Sequence, residues 1–313
     1  MLGRVIVGDP YYPLALVEEL LGGAEVEIEV AQPPWAGDDV IGLLVGPDYP
    51  VGKAELDLLP ALRVVSTCSV GHDHLDVEAA AARGVWACNV PDYCIDEMAD
   101  STLALLAALL RGVVALDRSV RAGAWDYTAA GPLRRIGGTR LGVIGFGRIG
   151  RAVAARGRAL EMDVWATDPY VSRAAIEAAG ARSATLEELL SSCVAFTLHV
   201  PLGPETAGLI GRDQLALMPH GSVLVNTARA GLVDQDALVD ALESGRLAGA
   251  ALDVLPVEPP PAPPPRAPTL IVTPHAAFYS PEAEQAAIRR SVLAVRDVIE
   301  GRAPADALVR LPA

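Results

Sequence analysis

Short aliphatic runs alternate along this chain with longer stretches whose apolar residues recur at helical spacing. Val5-Ile6-Val7 is the first run and is closed by Gly8-Asp9-Pro10; similar runs follow at Val26–Val30, Val40–Val45, Leu62–Val65 and Val85–Ala87. Helical stretches such as Pro13–Leu21 and Val77–Ala82 lie between them. Runs that are apolar throughout predict strands covered on both faces, and their alternation with helices predicts βαβ units and a parallel sheet. The pattern changes at Asp96-Glu97, two acids suited to a first helical turn, and predicts one long helix through about Val120. A second βαβ series then supplies six strands, at Leu141–Ile144, Asp163–Thr167, Cys193–Leu198, Ser222–Asn226, Ala248–Asp253 and Leu270–Thr273. Ser280-Pro281-Glu282 is a capping signal for a last helix reaching about Glu300. That helix carries no nucleotide motif, so it is expected to return to the first series. The fold class is therefore α/β, with two doubly wound parallel-sheet domains: 1–98 with 281–313, and an inserted 99–280. The proline run Pro259–Pro265 suits a stiff surface loop.

Composition narrows the function. The 313 residues are 51% hydrophobic, enough for two packed cores without disulfides or a structural metal. The net charge of −14 repels phosphate backbones and anionic lipid, which argues against nucleic acid or a membrane as the main partner. A small anion can still bind where a local arginine or a helix N-terminus inverts the potential. Cys68, Cys88, Cys94 and Cys193 form no C-x-x-C pair and read as reduced, mostly buried thiols. Arg4, Asp9 and Pro10 interrupt the first apolar run, and Leu103–Leu110 is about half a membrane span, so a soluble cytoplasmic protein is expected.

The strongest local signal is Leu141-Gly142-Val143-Ile144-Gly145-Phe146-Gly147-Arg148-Ile149-Gly150, a strand running through G-x-G-x-x-G into a helix. Gly145 permits the tight turn, Gly147 lets backbone approach a pyrophosphate, and Gly150 lets helix and strand pack closely. The helix N-terminus then favours the phosphates. Asp168, eighteen residues past Gly150 at the end of the next strand, suits the adenosine ribose hydroxyls and repels a 2′-phosphate. The pair selects NAD over NADP.

Three further groups follow strand ends: Arg229 after Ser222–Asn226, Glu258 after Ala248–Asp253, and His275 after Leu270–Thr273. Strand carboxyl ends are where open α/β sheets bind ligands. Reduction of a 2-keto acid needs this set. Arg229 holds the carboxylate and polarises the carbonyl. His275 donates the proton to the developing alkoxide and acts as base in the reverse direction. Glu258 orients the imidazole and favours its charged form.

These residues, with the segments Asn226–Asp234, Asp253–Pro259 and Thr273-Pro274-His275, resemble the D-isomer-specific 2-hydroxyacid dehydrogenases over nearly the whole chain. The resemblance implies a Rossmann-like NAD domain inserted into a flavodoxin-like substrate domain, a cleft between them, and usually a homodimer. It implies that the substrate carboxylate meets Arg229 and the backbone amides of Ser69, Val70 and Gly71. It also implies that the nicotinamide amide lies near Asp253, and the cofactor against Thr102, Val200, Pro201 and Thr206, Thr227–Arg229, and the turn His275–Ala277. Cys88–Pro91, Ala99–Leu103 and His275–Ser280 look like the C-terminal-binding-protein branch, whose eukaryotic members are dinucleotide-sensing corepressors. Phe278 stands where those corepressors carry tryptophan in the substrate pocket, and Thr67 where they carry arginine. An NAD-sensing interaction protein is the competing function, and the complete Arg229–Glu258–His275 set favours an enzyme.

Other groups take plainer readings. His72 and His74 form an H-x-H pair with no supporting cluster, so no metal site is expected. His199 is read as structural or cofactor-adjacent and His220 as exposed. Arg148 can reach the pyrophosphate, whereas Arg151 reads as a solvated helix residue. Cys94 sits between Asp92 and Asp96, a setting that opposes a reactive thiolate, and Tyr93 is a candidate pocket wall.

Overall fold

A computed structural model describes residues 3–263 and 269–311. The chain divides into two compact units, one of residues 1–93 and 280–313, the other of 94–279. The break falls at Cys94 rather than after 98, because the helix that opens the second unit already begins at Ile95.

The first unit runs β1 (Gly3–Val7), α1 (Leu14–Leu21), β2 (Val26–Val30), β3 (Val40–Val45), α2 (Lys53–Asp57), β4 (Val64–Thr67), α3 (Val77–Ala82) and β5 (Trp86–Cys88). The strands form a parallel sheet ordered β2-β1-β3-β4-β5, the flavodoxin-like order. Alternate side chains divide between two cores. Val5, Val7, Ile41 and Leu44 enter one, and Ile6, Val40, Leu43 and Val45 the other. This two-sided burial is why β1 and β3 read as aliphatic runs, while the edge strand β2 alternates Val, Ile and Glu.

The second unit runs α4 (Ile95–Leu110), α5 (Val113–Arg121), β6 (Arg140–Ile144), α6 (Arg148–Ala159), β7 (Asp163–Thr167), α7 (Arg173–Ala178), β8 (Arg182–Ser183), α8 (Leu186–Ser192), β9 (Ala195–Leu198), α9 (Arg212–Leu217), β10 (Ser222–Asn226), α10 (Gln235–Glu243), β11 (Leu247–Leu252) and β12 (Leu270–Val272). Its parallel sheet has seven strands, ordered β12-β11-β10-β9-β6-β7-β8. The order reverses between β6 and β9, where an open α/β sheet binds its ligand.

The last helix, α11 (Pro281–Ile299), is capped by Ser280 Oγ accepting from the Ala283 N–H, and it packs on α1, β3 and β4 of the first unit. The first unit is therefore discontinuous in sequence.

Three expectations need correcting. The long helix predicted from Asp96 to Val120 is two helices, α4 and α5, bent by 60°. Gly112 between them has φ +62°, a left-handed conformation that ends a right-handed helix. The sheet also has a seventh strand, β8, which the sequence reading missed. At two residues, Arg-Ser, it carries no aliphatic run to find. The predicted strand at Cys193–Leu198 starts at Ala195, since Cys193 caps α8. Pro264 and Pro265 of the proline run lie outside the described residues.

Candidate active site

The glycine turn joins β6 to α6 at the point where the strand order reverses. Gly145 has φ +92°, and a Cβ there would stand 2.6 Å from the His199 carbonyl oxygen. At Gly150 a Cβ would meet the Gly145 carbonyl oxygen at 2.1 Å. Gly147 differs: it is exposed, and a Cβ would touch nothing within 4 Å. The turn thus requires glycine internally at two positions and leaves open space in front of the third, where a dinucleotide backbone would pass.

Asp168 follows β7 and faces this turn. Its Oδ2 accepts from the Phe146 N–H at 2.7 Å and its Oδ1 from the Tyr170 N–H at 2.8 Å. Each carboxylate oxygen has a further lone pair, so the acid braces the turn and can still accept from ribose hydroxyls. The stretch after β9 is held by Thr206, whose Oγ1 donates to the Pro201 carbonyl at 2.6 Å and accepts from the Gly203 N–H at 2.9 Å. Val200 is partly buried and Pro201 exposed; in the turn itself Ile149 is partly buried and Arg148 exposed. His199 Nε2 is buried without a hydrogen-bond partner among the described residues, and burial lowers the imidazole pKa to about 3. This histidine is neutral at ordinary pH.

The reacting groups expected from sequence lie beyond three strands that pair in succession, β10, β11 and β12. Glu258 follows β11 and His275 follows β12. The His275 Nδ1–H donates to Glu258 Oε2 at 2.6 Å, and Glu258 Oε1 accepts from the Leu255 N–H at 2.6 Å. A carboxylate on Nδ1 leaves Nε2 free to carry a transferable proton. Both side chains are about one-third exposed, His275 at 40% and Glu258 at 32%. His275 has φ +51°, unusual for a residue with a side chain. Its turn is held by Asp253, which is buried at the end of β11. The Asp253 carbonyl accepts from the His275 N–H at 2.8 Å. Its Oδ1 accepts from Thr273 Oγ1 at 2.5 Å and from the Ala276 N–H at 2.9 Å, and its Oδ2 from the Ala277 N–H at 2.9 Å. Phe278 stands edge-on to the imidazole, with ring centroids 6.3 Å apart.

Arg229 is partly buried beyond β10, and its Nη1 donates to the Ala228 carbonyl at 2.9 Å. Thr227 and Thr102 are buried and share a hydroxyl hydrogen bond of 2.9 Å; Thr102 also donates to the Met98 carbonyl. Asn226, which the sequence reading passed over, ties this loop down through its side chain. The signal available for it was an Asn closing an aliphatic strand, a residue that hydrogen-bonds the backbone just after itself.

In the first unit, Ser69, Val70 and Gly71 form the loop after β4. Ser69 Oγ donates to the Gly71 carbonyl at 2.7 Å, and Asn89 Nδ2 donates to the Val70 carbonyl at 2.7 Å. Among the described residues the N–H groups of Val70 and Gly71 donate to nothing.

Residues 103–277 match the model of the D-isomer specific 2-hydroxyacid dehydrogenase NAD-binding domain. The chain belongs to this family. The D-3-phosphoglycerate dehydrogenase of Methanocaldococcus jannaschii is 34% identical over 99% of this chain, which spans 60% of that relative's length. The glycerate dehydrogenase of Methylorubrum extorquens is 35% identical over 80% of this chain and 82% of its own. The D-lactate dehydrogenase of Aquifex aeolicus, solved with NAD and lactic acid, superposes with a TM-score of 0.88 at 25% identity, covering 99% of this chain and all of that one. The dehydrogenase family thus accounts for both parallel-sheet units and for NAD as the cofactor; the glycine turn and Asp168 fit that cofactor on their own geometry.

Proposed function

We propose that this dehydrogenase reduces a small 2-keto acid to the D-2-hydroxy acid with NADH and runs the reverse reaction with NAD. The observation that carries the reading is the Glu258–His275 hydrogen bond of 2.6 Å, at a strand end two strands from the one that leads into Arg229. NADH bound at the glycine turn supplies the hydride. The Arg229 guanidinium binds the substrate carboxylate and draws electron density from the carbonyl. The family resemblance implies a further carboxylate contact from the amides of Ser69, Val70 and Gly71. His275 gives its Nε2 proton to the carbonyl oxygen, and Glu258 keeps the ring turned for that transfer. Asp253 holds the His275 turn, and Ala277 and Phe278 border the reacting centre.

The test is an NADH-oxidation screen over pyruvate, glyoxylate, hydroxypyruvate, and branched and methylthio keto acids. Saturable turnover of at least one is expected. Retained NADH binding with no turnover would instead support the dinucleotide-sensing role of the C-terminal-binding-protein branch, which the segments at Cys88–Pro91 and His275–Ser280 resemble.

A homodimer fits the surface of the second unit. Val113 and Val120 on α5, with Trp125 and Tyr127 just beyond, are exposed, the last two at 92% and 87%. Clustered exposed apolar groups of this kind mark an association surface, and the family resemblance points to a second copy as the occupant. Light scattering should find a dimer that Trp125→Glu converts to monomer. The four buried cysteines, none of them in a disulfide, suit a reducing cytoplasm.

A further inference from the structure

We infer that Asn226 is a positioning residue for Arg229, acting through the peptide that lies between them. This rests on the proposed reading of Arg229 as the carboxylate-binding group. Asn226 closes β10 with 0% exposure. Its Oδ1 accepts from the Ala228 N–H at 3.0 Å and its Nδ2 donates to the Arg229 carbonyl at 2.9 Å. An N–H can only donate and a C=O can only accept, so these partners fix the orientation of the amide. The first bond is an Asx turn; the second extends the grip to the arginine itself. Its backbone carbonyl also accepts from the Asp253 N–H at 3.0 Å, which ties the same residue to β11.

The consequence for the guanidinium is direct. Ala228 is gripped at its N–H by Asn226 Oδ1, while its carbonyl accepts from Arg229 Nη1 at 2.9 Å. One amide side chain therefore sets the residue against which the guanidinium is braced. Arg229 itself is extended, with φ −143° and ψ +140°, and the chain turns immediately afterwards through Ala230–Leu232. Asn is a poor strand former, and an aliphatic residue would bury as readily. An aliphatic residue would leave the Ala228 N–H and the Arg229 carbonyl without these bonds, and the arginine would lose its fixed base. A guanidinium displaced by about 1 Å costs on the order of 10²-fold in a reaction that depends on its placement.

The probe is oxamate, a non-reducible analogue of a 2-keto acid, titrated into the NADH complex of the full chain and of four variants. The variants are Asn226→Ala, Asn226→Asp, Arg229→Ala and the Asn226→Ala/Arg229→Ala pair, with NADH affinity read separately from fluorescence. Asn226→Ala should weaken oxamate binding by roughly 10- to 100-fold while NADH affinity stays within about twofold. Asn226→Asp keeps the acceptor, loses the donor, and should fall between Asn226→Ala and the parent. Should Asn226→Ala fail to fold, Asn226→Asp, which is isosteric, carries the test. The double variant should bind oxamate no more weakly than Arg229→Ala alone, because Asn226 acts only through that arginine. Unchanged oxamate affinity in the Asn226 variants, multiplying losses in the double variant, or a parallel loss of NADH affinity would overturn the inference. Oxamate binding by Arg229→Ala equal to that of the parent would instead remove the reading of Arg229 on which it stands.

Discussion

The carboxyl edges of the two sheets are built from the same parallel architecture and end in different chemistry. In the second unit, buried Asn226, Thr227 and Asp253 spend their hydrogen bonds on the turns that carry Arg229 and His275, so each charged group sits on a fixed backbone. In the first unit the loop after β4 is held by neutral side chains, Thr67, Ser69 and Asn89, and the contacts proposed there are backbone N–H groups. Asp9, just beyond β1, is partly desolvated, and burial raises its pKa. In the proposed reading one edge holds the reacting charges in place and the other offers backbone donors, which need no side-chain chemistry and leave little trace in a sequence.

Breaking the charged edge should cost most. Arg229→Ala is expected to lower kcat/KM by about 10³-fold, and near-normal kcat/KM would remove the arginine from the site. His275→Ala should lower kcat by roughly 10²-fold or more with NADH affinity intact; an unchanged kcat would end the proton-donor role. The neutral edge should yield less. Asn89→Ala, which frees the Val70 carbonyl, should lower kcat/KM by about tenfold, and a loss equal to that of Arg229→Ala would erase the distinction between the edges.

Two further measurements sharpen the account of the second unit. Gly150→Ala forces a Cβ to 2.1 Å from a carbonyl oxygen, whereas Gly147→Ala meets nothing within 4 Å. The first should lose about 1–3 kcal/mol of stability without ligand. The second should unfold like the parent and bind NADH about tenfold more weakly, and equal melting temperatures for the two variants would contradict the assignment.

A last test concerns pH. The folded His199 imidazole takes a proton only near pH 3, against the usual 6.5, because of burial. The unfolded chain therefore binds more protons between those limits. Stability falls as pH drops through that window and levels off below about 3. Relative to the parent, the melting temperature of His199→Asn should rise steadily from pH 7 to pH 4. A constant gap would show that His199 is not the source.

Legibility in the sequence followed locality. The glycine turn, Asp168 at the end of β7, and the aliphatic runs of β3 and β10 each depend on neighbours in the chain, and each was readable. The break at Gly112 was not, because glycine in a helical pattern is compatible with continuing or stopping until packing decides. β8 has only two residues and exists through pairing with Trp165 and Ala166. The resemblance places the nicotinamide amide near Asp253, and what no local pattern shows is that its carboxylate also accepts from the His275 turn, twenty or more residues later.

The residue order alone determined that two parallel sheets form, that a dinucleotide turn lies at β6, and which side chains are candidates for keto-acid chemistry, since periodicity and short motifs encode these locally. Only the tertiary structure decided that Glu258 meets Nδ1 of His275 and that Asp253 and Asn226 serve backbone groups around them. Those are contacts between strand ends distant in sequence, and a hydrogen bond's partner is chosen by distance and direction in space.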